Sequence, residues 1–155
     1  MDIQCYNSQT LVPISIDQVK CLVISFLEMK EVQTDEVVIH FVDKKAISKL
    51  HNDFFDDPSP TDCISFPIDS PLEYSSNNHH ILGEIFVCPE VALEYSQEHK
   101  LDLYKEISLY VMHGLLHLLG YNDLDPTDEK LMREEEAKGL KYMEEINLML
   151  SIYSS

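Results

Sequence analysis

VMHGLLHLLGYNDLD, residues 111–125, reads as a helix that stops abruptly and turns back on itself. His113 and His117 are four apart, so they share one helical face about one turn from each other, near enough for both imidazoles to reach one ion. Gly120 stands where helices commonly end in a left-handed residue, and a sharp exit there carries the chain back over the same face. Asp123, six residues past His117, is then the third donor within reach. Two neutral imidazoles and one carboxylate, with an open fourth position, describe a catalytic zinc site rather than a closed structural one. A bare H-x-x-x-H more often packs or caps. Here the glycine and the acid lengthen the pattern, and the flanking leucine pairs put the histidines in a partly dry setting where an unpaired imidazole is costly. Peptidases with H-E-x-x-H place a glutamate directly after the first histidine as general base; Gly114 occupies that place, so the metal spacing is kept while the peptidase base is missing.

The helix that carries this segment spans about 102–119. Upstream, Pro89 suits the first position of a short helix reaching about His99; downstream, Asp125 and Pro126 open a last helix that turns Leu131, Leu140, Met143 and Leu150 inward. Residues 2–6 read as a short strand. Ser15 and Gln18 form a capping box, and Val19, Leu22, Val23, Phe26 and Leu27 follow at helical spacing to about residue 30. EVVIHFV, residues 36–42, is β-branched and almost continuously apolar, which suits a buried strand. Asp43 caps a helix whose stripe is Ala46, Ile47, Leu50 and Phe54, and DDPSP at 56–60 breaks it. Strands at about 62–67 and 81–88 flank a polar loop at 69–80. Strands joined through helices pair in parallel, and the pair around the loop is antiparallel. The expected fold is α+β: a single domain over 1–155, with a small mixed four-stranded sheet packed with about five helices and the metal site on a central helix.

The composition fits this: 155 residues at 45% apolar build one domain with a real core. No apolar run approaches the ~20 residues of a membrane span, and the Met-Asp-Ile-Gln-Cys start lacks a signal-peptide pattern. Cysteines 5, 21, 63 and 88 include no C-x-x-C pair, so they read as reduced cytoplasmic thiols, with Cys21 and Cys63 as core fillers. The net charge of -17 runs against the basic patch usual in nucleic-acid binders and suggests a solvated acidic surface; Glu134, Glu135 and Glu136 read as a solvated helix face. Lys44, Lys45 and Lys49 offer a local positive stripe. His79 and His80 fall at a flexible loop tip, His40 on a strand and His51 on a helix surface.

Three blocks in order resemble the YbeY family of bacterial rRNA-maturation endoribonucleases. The family's H-G-x-L-H-L-x-G-Y-D-H is matched by His113-Gly114-Leu115-Leu116-His117-Leu118-Leu119-Gly120-Tyr121-Asn122-Asp123. Its P-T-D-V-L-S-F-P is matched by Pro60-Thr61-Asp62-Cys63-Ile64-Ser65-Phe66-Pro67, and its L-G-D-I-x-I-C by Leu82-Gly83-Glu84-Ile85-Phe86-Val87-Cys88. The resemblance implies a metal-dependent, single-strand-preferring endoribonuclease acting in 16S rRNA 3′-end maturation and ribosome quality control, with a mixed sheet and helices. Two departures stand out. The family's usual third histidine is Asp123 here, whose charge makes water bound at the metal less acidic. The family's arginine five residues before the Pro-Thr pair is Phe55 here, which can stack on a base but cannot neutralise a phosphate.

The catalytic set expected is therefore His113, His117 and Asp123 through one zinc or another divalent ion, with Glu106, two turns before His113, as a further candidate weighed against a solvated surface acid. Glu84 reads equally as a strand surface residue. Thr61, Asp62 and Ser65, at a loop-to-strand junction, and Phe55 are the expected substrate contacts, against a reading of 61–65 as turn chemistry. The implied partners are rRNA, the ribosomal small subunit and its proteins, in the cytoplasm, with neither membrane nor DNA. A metallohydrolase of another substrate class, peptidase-like at its zinc, and a non-catalytic ribosome assembly factor are the alternatives.

Overall fold

Side chains that accept a backbone N–H set where most of the helices begin. The computed structural model describes residues 1–152. Ser15 caps α1 (Ile16–Met29) and Asp43 caps α2 (Lys44–Phe55), each accepting from the N–H three residues on. Proline opens α3 (Pro89–His99), Asp102 caps α4 (Leu103–Leu118), and Asp125 caps α5 (Pro126–Glu145).

Strands β1 (Asp2–Asn7), β2 (Glu36–Phe41), β3 (Cys63–Pro67) and β4 (Ile81–Val87) form one sheet in the order β1-β2-β4-β3. The strands joined through helices are parallel, and β3 runs antiparallel to β4 across the polar loop, as the connections require. The expected α+β architecture stands.

Strand β2 is not buried on both sides as its composition suggested. Val37, Ile39 and Phe41 are dry, whereas His40 lies on the opposite face, stacked between Tyr6 and Phe86 and paired with Glu84. The dry face of the sheet carries α1 and α4, with Val19, Leu22, Val23, Phe26 and Leu27 buried against Leu115 and Leu116. A smaller cluster of Val42, Ile47, Ile64 and Cys88 joins α2 to the other face.

Helix α4 packs tightly on the sheet at Gly114. A β-carbon there would lie 2.7 Å from Cys63 Sγ and 3.2 Å from Ile85, and Ser65 Oγ donates to the Gly114 carbonyl at 3.0 Å. This contact sets the height of the helix over β3 and β4.

Several burial expectations are corrected. Phe54 is exposed, its ring in edge contact with that of Phe66, and of α2 only Ile47 is fully buried, in a cluster with Val42, Ile64 and Cys88. Leu131 is exposed and Met132 takes the inward place. Cys21 is exposed, whereas Cys63 packs against the core beneath Gly114 as expected; all four cysteines are free thiols. His80 is buried, held by Thr34 and the Ser70 carbonyl. Lys44 pairs with Glu94 and Lys49 with Asp53, so the expected positive stripe is largely neutralised. Among the described residues no helix is long and apolar enough to cross a membrane.

Glu135 and Glu136 also overturn an expectation. They do not lie on a solvated face; they join Met132, Gly139 and Met143 on the buried stripe of α5. Glu135 accepts from Lys30 Nζ at 2.5 Å and from Lys138 at 3.0 Å, and Lys30 also donates to the Tyr121 hydroxyl at 2.9 Å. The triad ties the end of α1 to α5 and to the chain just past α4.

Lys30→Ala is expected to lower stability by about 2 kcal/mol at neutral pH, between the limits for exposed and fully buried pairs. Lys30 and Lys138 hold the Glu135 carboxyl below its ordinary value against burial. The stabilisation is therefore complete above the unfolded carboxylate pKa and lost as pH falls through the lowered folded one. Denaturant titrations of wild type and variant at neutral and acid pH check this; an equal gap at both pH values contradicts it.

Candidate metal centre

The exit from α4 is a Schellman turn. Tyr121 N–H donates to the Leu116 carbonyl and Gly120 N–H to the His117 carbonyl, with Gly120 at φ +100, a conformation that favours glycine. The turn is pinned from outside by Lys30, which holds the Tyr121 hydroxyl and lies 4.8 Å from its ring. Asn122 Oδ1 then accepts from Leu124 N–H, and the Asp125 cap starts α5. Asp123 is thus held in a short loop fixed at both ends.

The result brings the three sequence-predicted donors together. His113, His117 and Asp123 each offer a ligand atom, and these atoms lie within 4.8 Å of one another. The two Nε2 atoms are 3.0 Å apart, and Asp123 Oδ2 is 3.9 Å from that of His113 and 4.0 Å from that of His117. Donors on a tetrahedral zinc stand about 3.3 Å apart, within the span of these separations.

Behind His113 stands a residue that the sequence reading missed. Glu136 Oε2 lies 2.6 Å from His113 Nδ1, and its carboxylate also accepts from Arg133 at 2.5 and 2.7 Å. Burial would raise the Glu136 pKa, but His113 and Arg133 hold it below the usual carboxylate range. An ionised carboxylate only accepts, so His113 must donate from Nδ1, which leaves its Nε2 facing the cluster. Burial lowers the His113 pKa, yet Glu136, with Asp62 and Asp123, outweighs it and sets the value above that of an ordinary imidazole. His117 is shifted the other way by burial and by His113, despite Asp123 and a backbone hydrogen bond at Tyr121. Two Nε2 atoms face to face are relieved by a shared proton or by a cation. The donor set, the carboxylate behind one histidine and the spacing all fit a divalent ion.

A cleft of about 450 Å³ opens beside His117. Phe55, Thr61 and Ser65 line it, together with His51, Tyr121 and Asn122, which the sequence reading did not single out for it. Asp62 does not line the cleft. Its Oδ1 accepts from Cys63 N–H and Thr61 Oγ1, and its charge raises both His113 and His117. Glu106 stands outside both the cluster and the cleft lining. Burial raises its carboxyl pKa against His99 and Lys105, with the charges of Asp62 and Glu136 adding. Glu84 is engaged with His40 on the far face of the sheet. Glu136 could have been found only by noticing that Met132, Glu136, Gly139 and Met143 share one helical stripe.

Fold and side chains together define an α+β protein with a candidate metal centre on the helix that packs against its sheet. The family described as Endoribonuclease YbeY matches residues 4–144. An Endoribonuclease YbeY of Protochlamydia amoebophila is 42% identical over 148 residues, covering 96% of this chain and 97% of its own length. One from Chlamydia abortus is 45% identical over 148 residues, covering 94% and 92%. TM1509 from Thermotoga maritima, a solution structure, matches with a TM-score of 0.62 at 26% identity, over 90% of this chain and 87% of that one. The chain belongs to the YbeY family.

Glu136→Gln keeps the shape but weakens the acceptor behind His113. Zinc affinity, read by competition with a chromophoric chelator, is expected to fall on the order of 10- to 100-fold while thermal unfolding stays cooperative. Unchanged affinity would mean that the carboxylate does not act on the centre.

Proposed function

We propose that this chain is a metal-dependent endoribonuclease that cuts single-stranded RNA. The convergence of His113, His117 and Asp123, with His117 also lining a cleft, carries the reading, supported by curated relatives named for endoribonuclease activity. In this reading the chain is one hydrolase domain, its ion is one zinc, and it works in the cytoplasm. It matures the 3′ end of 16S rRNA and serves ribosome quality control beside the small subunit and its proteins.

His113, His117 and Asp123 would hold the ion, which when bound would supply Lewis acidity toward a phosphoryl oxygen and toward water. Glu136 keeps the Nδ1 proton on His113, and Arg133 keeps Glu136 ionised and in place. Asp62 sets the entrance of β3 by accepting from Cys63 N–H, and Thr61, Ser65 and Phe55 face the substrate from the cleft wall. Ser65 also fixes β3 to α4 through the Gly114 carbonyl, so the wall and the histidines keep their spacing. A peptidase reading is disfavoured by that same contact: the site where a peptidase carries its glutamate has no room for a β-carbon unless Cys63 and Ile85 move.

The absence of lysine and arginine from the cleft lining favours one second reading, an assembly factor without catalysis. Co-sedimentation with ribosomal small subunits in the absence of any cutting would select it.

His117→Ala is expected to reduce cleavage of a single-stranded oligoribonucleotide by more than the roughly hundredfold ceiling of outer ligand-supporting changes, with the circular dichroism spectrum retained. Wild-type protein that cuts no RNA with added zinc, manganese or magnesium would contradict the proposal.

A further inference from the structure

Among the described residues, the lining of the cleft beside His117 carries no lysine, arginine, aspartate or glutamate, in a chain that is otherwise strongly acidic. Such a wall offers a phosphate no lysine or arginine, and the chain's net charge of -17 opposes phosphate approach at longer range.

What the wall does offer is an aromatic corner. Phe55, the last residue of α2, is 57% exposed. The His51 ring stands 5.7 Å from it at 57°, and the Ser59 carbonyl fixes His51 through Nδ1 at 2.8 Å. The corner is thus partly preorganised, with one ring anchored and the other open. Thr61, Ser65 and Asn122 line the same cleft and supply short polar groups suited to a base edge. The volume of about 450 Å³ lies within the range of small-molecule pockets. His117 belongs both to this wall and to the histidine–aspartate cluster.

We propose that this cleft is a nucleobase subsite: it seats one unstacked base of a single strand against Phe55 and His51 and thereby brings the adjoining phosphate to the cluster at His117. The inference rests on the endoribonuclease reading and deepens it. Capture comes from the π-face of the base rather than from the charge of the backbone, so it depends little on ionic strength. A base paired in a duplex cannot enter, because its faces are already stacked.

The test uses the full chain and a short oligoribonucleotide carrying 2-aminopurine, with chelator present so that no cutting intervenes. The wild type is expected to quench the fluorescence on binding. Its log-affinity against log-salt plot should have a slope shallower than about one, the signature of few phosphate contacts. Phe55→Ala should remove the quench and weaken binding on the order of tenfold, Phe55→Trp should restore both, and an abasic strand should bind the wild type as weakly as the intact strand binds Phe55→Ala. Phe55 is exposed, so these variants leave the core untouched.

Phe55→Ala binding with wild-type affinity and quench would overturn the subsite, as would a steep salt slope in the wild type. Where such a protein still cuts RNA with a divalent ion, the endoribonuclease reading survives and only the base subsite falls. A wild type that neither binds nor cuts single-stranded RNA overturns both.

Discussion

The approach of α4 to the sheet at Gly114 is the contact on which the candidate site depends. Because nothing larger than hydrogen fits there without displacing Cys63 or Ile85, the helix lies low on β3 and β4. Its leucines are pressed into the core, while His113 and His117 are left half-buried at the edge of a cleft whose far wall is β3. The Ser65 bond to the Gly114 carbonyl locks the same two elements at the same level. Raising the helix would separate the histidines from Thr61 and Ser65 and spoil the core and the site together.

A second constraint closes the site from the other end. Gly120 releases the chain, Lys30 catches Tyr121, and α5 starts at once, which leaves Asp123 little choice of position. The two buried glutamates of α5 serve different ends of this arrangement. Glu135 ties Lys30 to the helix, and Glu136 reaches His113. Burying two carboxylates on one helix is tolerable because each meets cationic or donor partners at hydrogen-bond distance. The net acidity of the chain thus has some of its charge folded into the supports of the site, while the described cleft lining carries no carboxylate.

Much of this was legible in the order of residues because it is local. Caps at Ser15, Asp43 and Asp125 and the stop at Gly120 are decided by neighbours a few positions apart, and they locate the starts of those helices and the end of α4 to within a residue or two, whereas α5 ends at Glu145 and leaves Leu150 outside it. The triad of donors was legible largely for the same reason, since a helical turn and a glycine exit bring His113, His117 and Asp123 to one side, whereas the clamp of Lys30 on Tyr121 that fixes the turn was not. What stayed hidden depends on partners far along the chain. Glu136 meets a histidine 23 residues away and Glu135 a lysine 105 residues away, and no local rule separates such acids from solvated ones. Leu131 and Phe54 show the same limit from the apolar side. Both are hydrophobic at plausible spacing, yet the docking of their helices turns each toward solvent, and His80 is buried because Thr34 and the turn at Ser70 enclose it.

Two imidazoles and one carboxylate on a single divalent ion leave a signature that X-ray absorption at the zinc edge of the purified, zinc-loaded chain reads. The expected spectrum is a nitrogen and oxygen shell at about 2.0–2.1 Å with the outer-ring scattering of two imidazoles and no sulfur. A shell containing sulfur at about 2.3 Å, or one without imidazole scattering, would place the ion elsewhere and rule out a centre at His113, His117 and Asp123.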